Sequence, residues 1–455
     1  MNMKIYVMTW GNSAGWKEIQ YKYNGKTFKS KIALPLLEES ENFDKIIILS
    51  TDSLAAENNK VLSVQNYSQL LSLVEEKIRD YIINELNFEK IMNKMQVIVS
   101  FATGDYGELK IQGKGTDFYY HIFYELSKLF AQMLLNDNDL KNDHEIKVII
   151  DITHGINYMP VNMYTIVRLI LNVFGFFFKN IKINVVNSDP FIGRVNPDCL
   201  NINIIEETFI IPRVYFVNDK DLSRSLIVFK DLDNERKRTI GIKKYRFENS
   251  EKELYKKTLL FLASFYHKLP LHVIHYLPKA ESIMELTRKI FEEFFNFISL
   301  SKSDNKIVLT RELSLNNHVE NLSKAFILSL ILDKMGIKND SEIKISDVEK
   351  VNDHLFREFQ IEKNRTDVEL DNIRKEDKGK IDFITNDYET YIEIENKYRK
   401  KNGLNKLNSG EIRDRNFFAH AGFEYNSIKL RKEGSNIFIK VNEDYEDKIV
   451  KFLIS

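Results

Sequence analysis

The fold is indicated most clearly by the segment Lys147-Val148-Ile149-Ile150-Asp151-Ile152-Thr153-His154-Gly155-Ile156-Asn157. Its first half is a short run of Ile and Val, which is typical of a strand buried on both faces. Its second half is small and polar, and it opens directly into an apolar helical pattern at Tyr158–Phe174. This order predicts a strand, a tight loop and a helix, the unit from which parallel sheets are built.

The same pattern recurs along the first two hundred residues. Further strand-like runs lie at Lys4–Met8, Lys45–Leu49, Gln96–Ser100 and Lys182–Val186. Helical patterns at Tyr67–Glu85 and Asp117–Leu135 separate some of them, and the Asn24-Gly25 dipeptide predicts a β-hairpin. Residues 1–205 are therefore predicted to form a Rossmann-like, doubly wound parallel sheet, giving an α/β plus α protein.

The rest of the chain has a different character. Residues 206–250 are predicted to be a connector with some β structure, because strand-like runs at 209–211 and 226–229 flank a charged segment. Residues 251–455 are predicted to be a helical domain, since Glu281–Ser299 and His318–Met335 are strongly periodic. Two small β insertions are expected there, at Lys380–Glu395 and Phe423–Val441.

The loops after the predicted strands indicate a ligand site. Ligands of open parallel sheets bind beyond the carboxyl ends of the strands, and amides at a helix start suit a phosphate. No G-x-G-x-x-G pattern or P-loop lysine is present, which makes NAD and ATP poor candidates. Polar loops are ordinary in such folds, but four of them on one edge favour a nucleotide-type ligand. The predicted ligand-binding residues are Thr9, Trp10, Gly11, Asn12, Ser13, Thr51, Thr103, Gly104, Asp151, Thr153, His154, Gly155 and Asn157.

A second candidate site lies near the C-terminus, in Arg413-Asp414-Arg415-Asn416-Phe417-Phe418-Ala419-His420-Ala421-Gly422. With Arg415 at 0°, helical geometry places Asn416 at about 100° and His420 at about 140°. The small Ala419 falls inside this polar arc, whereas Phe417 and Phe418 point toward a core. The arc leaves a gap that a phosphate can enter.

Arg415, Asn416 and His420 are the candidate catalytic residues. RNA is cut without a metal when its 2′-hydroxyl attacks the adjacent phosphate, which needs a base, an acid and cationic donors. Histidine exchanges protons near neutrality, arginine binds phosphate through two donors, and Asn416 can orient the imidazole or a phosphate oxygen. A two-fold dimer would supply the second histidine. The alternative is a structural helix in which Arg415 pairs with Glu411.

Composition limits the remaining possibilities. The 455 residues include 66 Lys+Arg and 66 Asp+Glu, so any RNA contact must be a local patch. One such patch is Lys397–Lys401, although a solvated surface is its ordinary interpretation. The single Cys199 excludes an intrachain disulfide and a thiolate zinc cluster and fits a reducing cytoplasm. Asn162, Arg168 and Asn172 interrupt the apolar stretch 161–178, so no membrane span is expected.

Other groups of residues indicate no second chemical site. His267, His272 and His275 form the densest histidine cluster, but Pro270 and Pro278 bracket them and no carboxylate stands at ligand spacing. A structural turn is the better interpretation than a zinc site, and no metal is expected.

The chain resembles the CARF–HEPN ribonucleases that accompany type III CRISPR systems. Arg415 and His420 match the family's Arg-x4–6-His motif, and Asn416 and Ala419 fit its common form. The segments 151–157 and 10–12 are similar to its two ligand loops. The resemblance implies a CARF domain that senses cyclic oligoadenylate, with cyclic tetra-adenylate as the expected ring, and a metal-independent HEPN ribonuclease domain that acts as a homodimer or higher oligomer.

The expected function is an endoribonuclease that cuts single-stranded RNA to 2′,3′-cyclic phosphate ends in CRISPR antiviral defence. It requires no cofactor and is activated allosterically by the cyclic oligoadenylate. One alternative is a sensor that also degrades its messenger, with Thr9, Asn12, Thr153 or His154 positioning the messenger's 2′-hydroxyl. The other alternative is a non-catalytic, ligand-sensing transcription regulator, which would not need the Arg415–His420 arc.

Overall fold

The computed structural model describes residues 2–135, 140–156, 158–190, 197–218, 224–229, 247–303, 305–338, 342–374, 380–408 and 410–454. The chain divides into two compact units, of which only the described residues are considered. Unit 1 comprises Met1–Ile211, Ser223–Arg246 and Thr287–Ser323. Unit 2 comprises Pro212–Leu222, Phe247–Leu286 and Lys324–Ser455.

The strands are β1 (Asn2–Thr9), β2 (Ile19–Tyr23), β3 (Lys26–Ser30), β4 (Lys45–Thr51), β5 (Met95–Ser100), β6 (Gly104–Tyr106), β7 (Leu109–Gln112), β8 (Glu145–Asp151), β9 (Asn180–Ser188), β10 (Cys199–Phe209), β11 (Ile227–Val228), β12 (Ile298–Ser303), β13 (Lys306–Arg311), β14 (Leu313–Ser314), β15 (Ile343–Lys344), β16 (Glu389–Thr390), β17 (Ile428–Glu433) and β18 (Asn436–Val441). The α-helices are α1 (Leu34–Glu41), α2 (Tyr67–Asp80), α3 (Asp117–Leu135), α4 (Tyr158–Phe174), α5 (Asn249–His267), α6 (Pro270–His275), α7 (Ala280–Asn296), α8 (Asn317–Lys334), α9 (Ile345–Leu355), α10 (Gln360–Arg374), α11 (Tyr391–Lys401), α12 (Asp414–Ala419) and α13 (Glu446–Ile454).

Unit 1 is built on an eight-stranded sheet with the order β3-β2-β10-β9-β8-β1-β4-β5. The five strands from β9 to β5 in this order run parallel, so the predicted Rossmann-like sheet is confirmed. The chain builds outward from β1 through β4 to β5 and then returns to place β8 on the other side of β1. The topological switch point, where such folds bind ligands, therefore lies between β1 and β8.

The hairpin at the sheet edge also follows the prediction. Asn24 and Gly25 both have positive φ, at 47° and 77°, as the tight turn between β2 and β3 requires. Helices α3 and α4 have the bounds that the sequence periodicity predicted. The apolar stretch after residue 160 lies in α4, whose inward face is buried. Within the described residues, no helix is long and apolar enough to cross a membrane.

Unit 2 is largely helical and contains a small antiparallel sheet with the order β15-β18-β17-β16. The predicted β insertion at 423–441 is confirmed as the hairpin β17–β18. The insertion predicted at 380–395 is wrong in extent, because only Glu389 and Thr390 form a strand. The next residue begins α11, for which Thr390 and Glu393 form a capping box. In the predicted connector, β10 reaches Phe209 and β11 is two residues long, while residues 230–246 lie outside the described part of the chain.

The sequence analysis missed a second sheet in unit 1, with the order β12-β13-β7-β6. Strand β13 pairs in parallel with β7, from Ile307 opposite Leu109 to Thr310 opposite Gln112. Residues 287–323 therefore belong to unit 1, and the units do not coincide with the expected boundaries 1–205, 206–250 and 251–455. The cause is a pairing between segments two hundred residues apart, which local periodicity does not register.

The side chain of Arg311, at the end of β13, holds this hairpin in unit 1. Arg311, Asp52 and Asp117 are all fully buried, and each carboxylate lies 3.5 Å from the guanidinium. Arg311 Nη2 donates to the carbonyl of Ala102 at 2.6 Å. A Cβ at Gly113 would lie 2.7 Å from Arg311 Nε, so glycine is needed there. Burial raises the pKa of both Asp52 and Asp117 to about 6, and the nearby Arg311 cation offsets this effect only in part.

We predict that Arg311→Met destabilises the folded protein by about 3–5 kcal/mol at pH 7.5, because two buried carboxylates are left without their cation. The apparent melting temperature should fall accordingly. The loss should be smaller at pH 5. The folded-state pKa values lie above the ordinary 3.8, so at pH 5 the carboxyls can take up protons in place of the cation.

The matched control is Arg288→Met, which removes an exposed ion pair with Glu292 in the same segment and should cost less than about 1 kcal/mol. Equal melting temperatures for the two variants at pH 7.5 would show that the buried Arg311 cluster contributes no more to stability than an exposed ion pair.

Candidate active site and ligand pocket

The C-terminal motif lies on α12 and the residue that caps it. The amide of His420 donates to the carbonyl of Asn416 at 3.0 Å, so the helical geometry extends to the histidine. Ala421 and Gly422 then adopt positive φ, 49° and 84°, and reverse the chain. The predicted catalytic residues Arg415, Asn416 and His420 are thus brought together on one short helical segment.

The apolar side of the motif is anchored in the core of unit 2. Phe417 is fully buried and meets the ring of His272 edge-on at 5.0 Å. His272 also lies against Gly422, where a Cβ would come within 2.5 Å of its ring. Burial lowers the pKa of His272 to about 3, so this imidazole is neutral. His272 therefore serves packing, as does His267, whose ring lies 4.5 Å from that of Phe418.

The imidazole of His420 is held by a carboxylate that the sequence analysis did not identify. Glu369, on α10, lies 2.8 Å from His420 Nδ1. The Glu369 side chain is 12% exposed and that of His420 is 45% exposed. The hydrogen bond to Glu369 raises the pKa of His420. It also places a proton on Nδ1, since a carboxylate accepts, and so leaves Nε2 as the atom that can exchange a proton with a substrate.

Arg415 and Asn416 are exposed and available for a ligand. Glu411, the alternative partner of Arg415, pairs instead with Lys448 at 3.2 Å. In the part of the chain that the structure describes, neither the Arg415 guanidinium nor the Asn416 amide has a hydrogen-bond or ion-pair partner. Ala419 is also exposed, so the arc between them stays open as predicted. The motif thus combines a free cation, a free amide and an oriented imidazole.

The N-terminal candidate site is centred on the switch point. The Thr9 hydroxyl donates to the carbonyl of His154, which joins the loop after β1 to the loop after β8. Gly11 and Gly155 approach closely, since a Cβ on Gly11 would lie 3.2 Å from the Gly155 carbonyl carbon. Gly155 has φ +134°, and a Cβ on it would lie 2.3 Å from Thr9 Oγ1. The glycine therefore permits contact between two loops, and a larger residue there would disturb the fold.

Several of the predicted ligand residues face the protein. Asp151 is buried, accepting from Tyr6 Oη at 2.5 Å and from the Thr153 amide at 2.8 Å. Thr51 is buried beside the Ser53 hydroxyl. Asn12 caps a short turn that contains the buried Ser13, and Trp10 is buried against Trp16. Thr103 and Gly104 lie after β5, two strands from the switch point. Asn157 lies outside the described residues.

Beside the switch point lies a cavity of about 570 Å³, to which Thr153 and His154 contribute. Its other walls come from β2, from the residues flanking the β2–β3 hairpin and from the end of β9, and include Trp16, Lys17, Tyr21, Lys31 and Asp189. The His154 ring lies 4.7 Å from that of Trp16, and burial lowers the pKa of His154. The cavity therefore offers aromatic faces, two lysines and a neutral histidine.

The sequence analysis did not identify Trp16, Lys17, Tyr21 and Lys31. A signal was present, because the Asn-Gly turn fixes the hairpin register. Ile19 then pairs with Ser30, and Lys17 and Lys31 fall together at the open end of the hairpin. Linking that end to the switch point required the pairing of β2 with β10, which is not apparent from one sequence. Across the described ranges, no group of three or more His, Cys, Asp or Glu side chains is arranged to hold a metal ion.

Comparison with known proteins finds two domain matches and one relative. The family model described as CRISPR system endoribonuclease Csx1, CARF domain, matches residues 5–190. The model described as CRISPR system endoribonuclease Csx1, HEPN domain, matches residues 359–443, which include Glu369 and the whole motif. The CRISPR system endoribonuclease Csx1 of Methanocaldococcus jannaschii is 28% identical over 457 aligned positions, covering 97% of this chain and 90% of that protein.

The two domain matches stand in the same order as the two sites, and the similarity to this relative extends over almost the whole chain. The protein therefore belongs to the CRISPR-associated CARF–HEPN family.

Proposed function

We propose that this protein is a metal-independent endoribonuclease that cuts single-stranded RNA and is switched on by cyclic oligoadenylate. The observation that carries the proposal is the His420–Glu369 pair beside the unpartnered Arg415 and Asn416. The printed name of the Methanocaldococcus relative, an endoribonuclease, supports the same reaction class.

In the proposed reaction, neutral His420 Nε2 accepts the proton of a ribose 2′-hydroxyl, and the 2′-oxygen attacks the adjacent phosphorus. The bond from phosphorus to the 5′-oxygen breaks, and a protonated imidazole donates to that leaving oxygen. The products are a 2′,3′-cyclic phosphate and a 5′-hydroxyl. Arg415 and the Asn416 amide stabilise the phosphate oxygens as their charge grows.

The reaction needs two proton-transfer groups, and one chain supplies one exposed imidazole in the motif. We therefore propose a homodimer in which two motifs face one another, so that one His420 acts as base and the partner's His420 acts as acid. The raised pKa of His420 suits the acid, because more of the imidazole stays protonated at neutral pH.

The proposed activator is cyclic oligoadenylate, with the tetra-adenylate ring as the first choice. The cavity beside the switch point has the groups that such a ligand needs: Trp16 and Tyr21 for adenine faces, and Lys17 and Lys31 for phosphates. Lys31 already pairs with Glu85 at 2.6 Å, which leaves Lys17 as the freer cation. Binding would act by shifting an equilibrium between less active and more active arrangements of the enzyme.

Degradation of the messenger by the sensor domain is a second candidate activity. His154 lines the cavity as a neutral imidazole, and its Nε2 has no hydrogen-bond partner among the described residues. A neutral imidazole with a free nitrogen can accept the proton of a 2′-hydroxyl. Loss of messenger over time in the presence of His420→Ala protein would identify this activity, since that variant lacks the RNase histidine.

We predict that His420→Ala lowers the rate of RNA cleavage by about 10²–10⁴-fold, the usual contribution of acid–base catalysis, and that Arg415→Ala lowers it by about 10²–10³-fold through lost stabilisation of the transition-state charge. Arg415 is exposed and unpartnered, so Arg415→Ala should leave the melting temperature unchanged, whereas His420→Ala also removes the partner of the largely buried Glu369 and should lower it slightly. Lys344→Ala is the matched control, because Lys344 is an exposed cation on β15, outside the motif. Cleavage of a labelled RNA at the wild-type rate by His420→Ala would show that the motif is structural.

We predict that Glu369→Gln lowers the pKa of His420 toward the ordinary 6.5, because the hydrogen-bonded carboxylate raises it. Whether His420 serves as acid or base, its limb of the pH–rate profile should move to lower pH. Imidazole resonances titrated by NMR report the same shift. Glu424→Gln is a graded control, since Glu424 also raises this pKa but as a smaller effect. An unchanged titration in Glu369→Gln would remove Glu369 from the site.

We predict that Lys17→Glu weakens binding of cyclic tetra-adenylate by about tenfold or more, because a cation that faces the phosphates is replaced by an anion that repels them. Stimulated cleavage should fall, and the unstimulated rate should not. Lys22→Glu is the matched control, because Lys22 points to the opposite face of β2 from Tyr21. The affinity for cyclic tetra-adenylate is measured by calorimetric titration. Wild-type affinity in Lys17→Glu would show that the messenger binds elsewhere.

A further inference from the structure

A second large cavity lies in unit 2, and none of the three candidate catalytic residues lines it. Its volume is about 1270 Å³, more than the 300–1,000 Å³ that is usual for small-molecule sites. One wall is the exposed face of α11, with Asn396, Lys397 and Lys400 at helical spacing. The opposite wall is the segment 403–408, which contains Leu404 and Lys406. We call this cavity the α11 groove.

The segment that forms the second wall is held in a fixed position. The side chain of Asn396 donates to the carbonyl of Leu407 at 3.0 Å and accepts from its amide at 2.7 Å. Arg399 donates to the carbonyl of Asn405 at 2.9 Å, while its Nε is held by the buried Glu395. These bonds tie the segment to α11 in a fixed position, so the groove is a built feature of the unit.

The groove carries cations that the proposed chemistry at the motif does not use. Lys397 pairs with Glu389, but Lys400 and Lys406 are exposed and have no ion-pair or hydrogen-bond partner within the described ranges. Two carboxylates also line it: Glu393, which is engaged in the cap of α11, and Asp444. Leu404 is 50% exposed and Tyr445 lines the groove. Cations beside apolar and aromatic surface are the combination with which proteins hold single strands.

The groove also leads to the motif. Asn426 lines it, and the neighbouring Tyr425 has its ring 6.4 Å from that of His420. The segment 403–408 continues along the chain into α12, which carries Arg415. A strand whose scissile phosphate lies at the motif can therefore extend into the groove.

We propose that the α11 groove binds the single-stranded RNA that flanks the cleaved bond, with Lys400 and Lys406 contacting successive phosphates and Leu404 and Tyr445 supporting bases. The proposal rests on the proposed ribonuclease function, since it names where that substrate lies. It assigns the groove to substrate affinity and not to the chemical step.

The test uses the full-length double variant Lys400→Glu/Lys406→Glu, and as control the charge-matched Lys432→Glu/Lys451→Glu, whose residues lie outside the groove. Binding of a labelled uridine dodecamer is measured by anisotropy in a His420→Ala background at several salt concentrations. The groove variant should bind about tenfold more weakly or worse, and its salt slope should fall by about 0.7 for each phosphate that the protein no longer neutralises. The control should bind like the parent.

With His420 intact, the groove variant should show a raised KM for the dodecamer and an unchanged kcat. Unchanged affinity, or equal losses of affinity in the groove variant and the control, would overturn the groove proposal. A change in oligomeric state by sedimentation would also overturn it, because the groove would then be an interface between protomers. If the wild-type protein cut no RNA, the ribonuclease proposal would fail, and the anisotropy result would still decide whether the groove binds RNA.

Discussion

The buried guanidinium of Arg311 is the constraint on which the architecture of unit 1 depends. It lies between Asp52, which follows β4, and Asp117, which begins α3, and it donates to Ala102, which follows β5. Asp52 accepts in turn from the Ala102 amide at 2.7 Å, and Asp117 from the Leu315 amide at 2.9 Å. One cation thereby joins the carboxyl ends of β4 and β5 to a hairpin that lies about two hundred residues later in the chain. Because the cation is fully desolvated, each of these groups depends on the others.

In unit 2, likewise, buried groups hold the exposed groups of the motif in position. Phe417, His272 and Gly422 pack so closely that α12 has one available position. Glu369 then orients the ring that this helix presents. The groups left free are those that the proposed chemistry requires, namely Arg415, Asn416 and Nε2 of His420. The motif is therefore short in sequence but depends on α6 and α10 for its geometry.

The sequence predicted the features that local hydrophobic periodicity and turn residues determine. The strands of the parallel sheet, the bounds of α3 and α4 and the Asn-Gly hairpin follow from periodicity and from φ requirements. The polar arc of the motif follows from helical spacing alone. The CARF and HEPN matches confirm the family that the resemblance implied and the fold class that these patterns indicated.

The sequence could not predict features that depend on contacts distant along the chain. The pairing of β13 with β7 places residues 287–323 in unit 1. Glu369 can be assigned to the site only from the structure, in which it contacts His420, fifty-one residues away. Likewise, Lys17 becomes a cavity residue only because β2 pairs with β10 at the sheet edge. In each case the sequence shows the residue itself, but it does not show which distant segment lies beside that residue.

Metal-independent, messenger-activated cleavage can be tested on a defined single-stranded RNA with the wild-type protein in excess EDTA, with and without cyclic tetra-adenylate, followed by mass analysis of the product ends. The account predicts cleavage that persists in EDTA, rises with the messenger and leaves 2′,3′-cyclic phosphate and 5′-hydroxyl ends. Activity that is lost in EDTA and restored by a divalent cation, or products that carry 5′-phosphates, would contradict it.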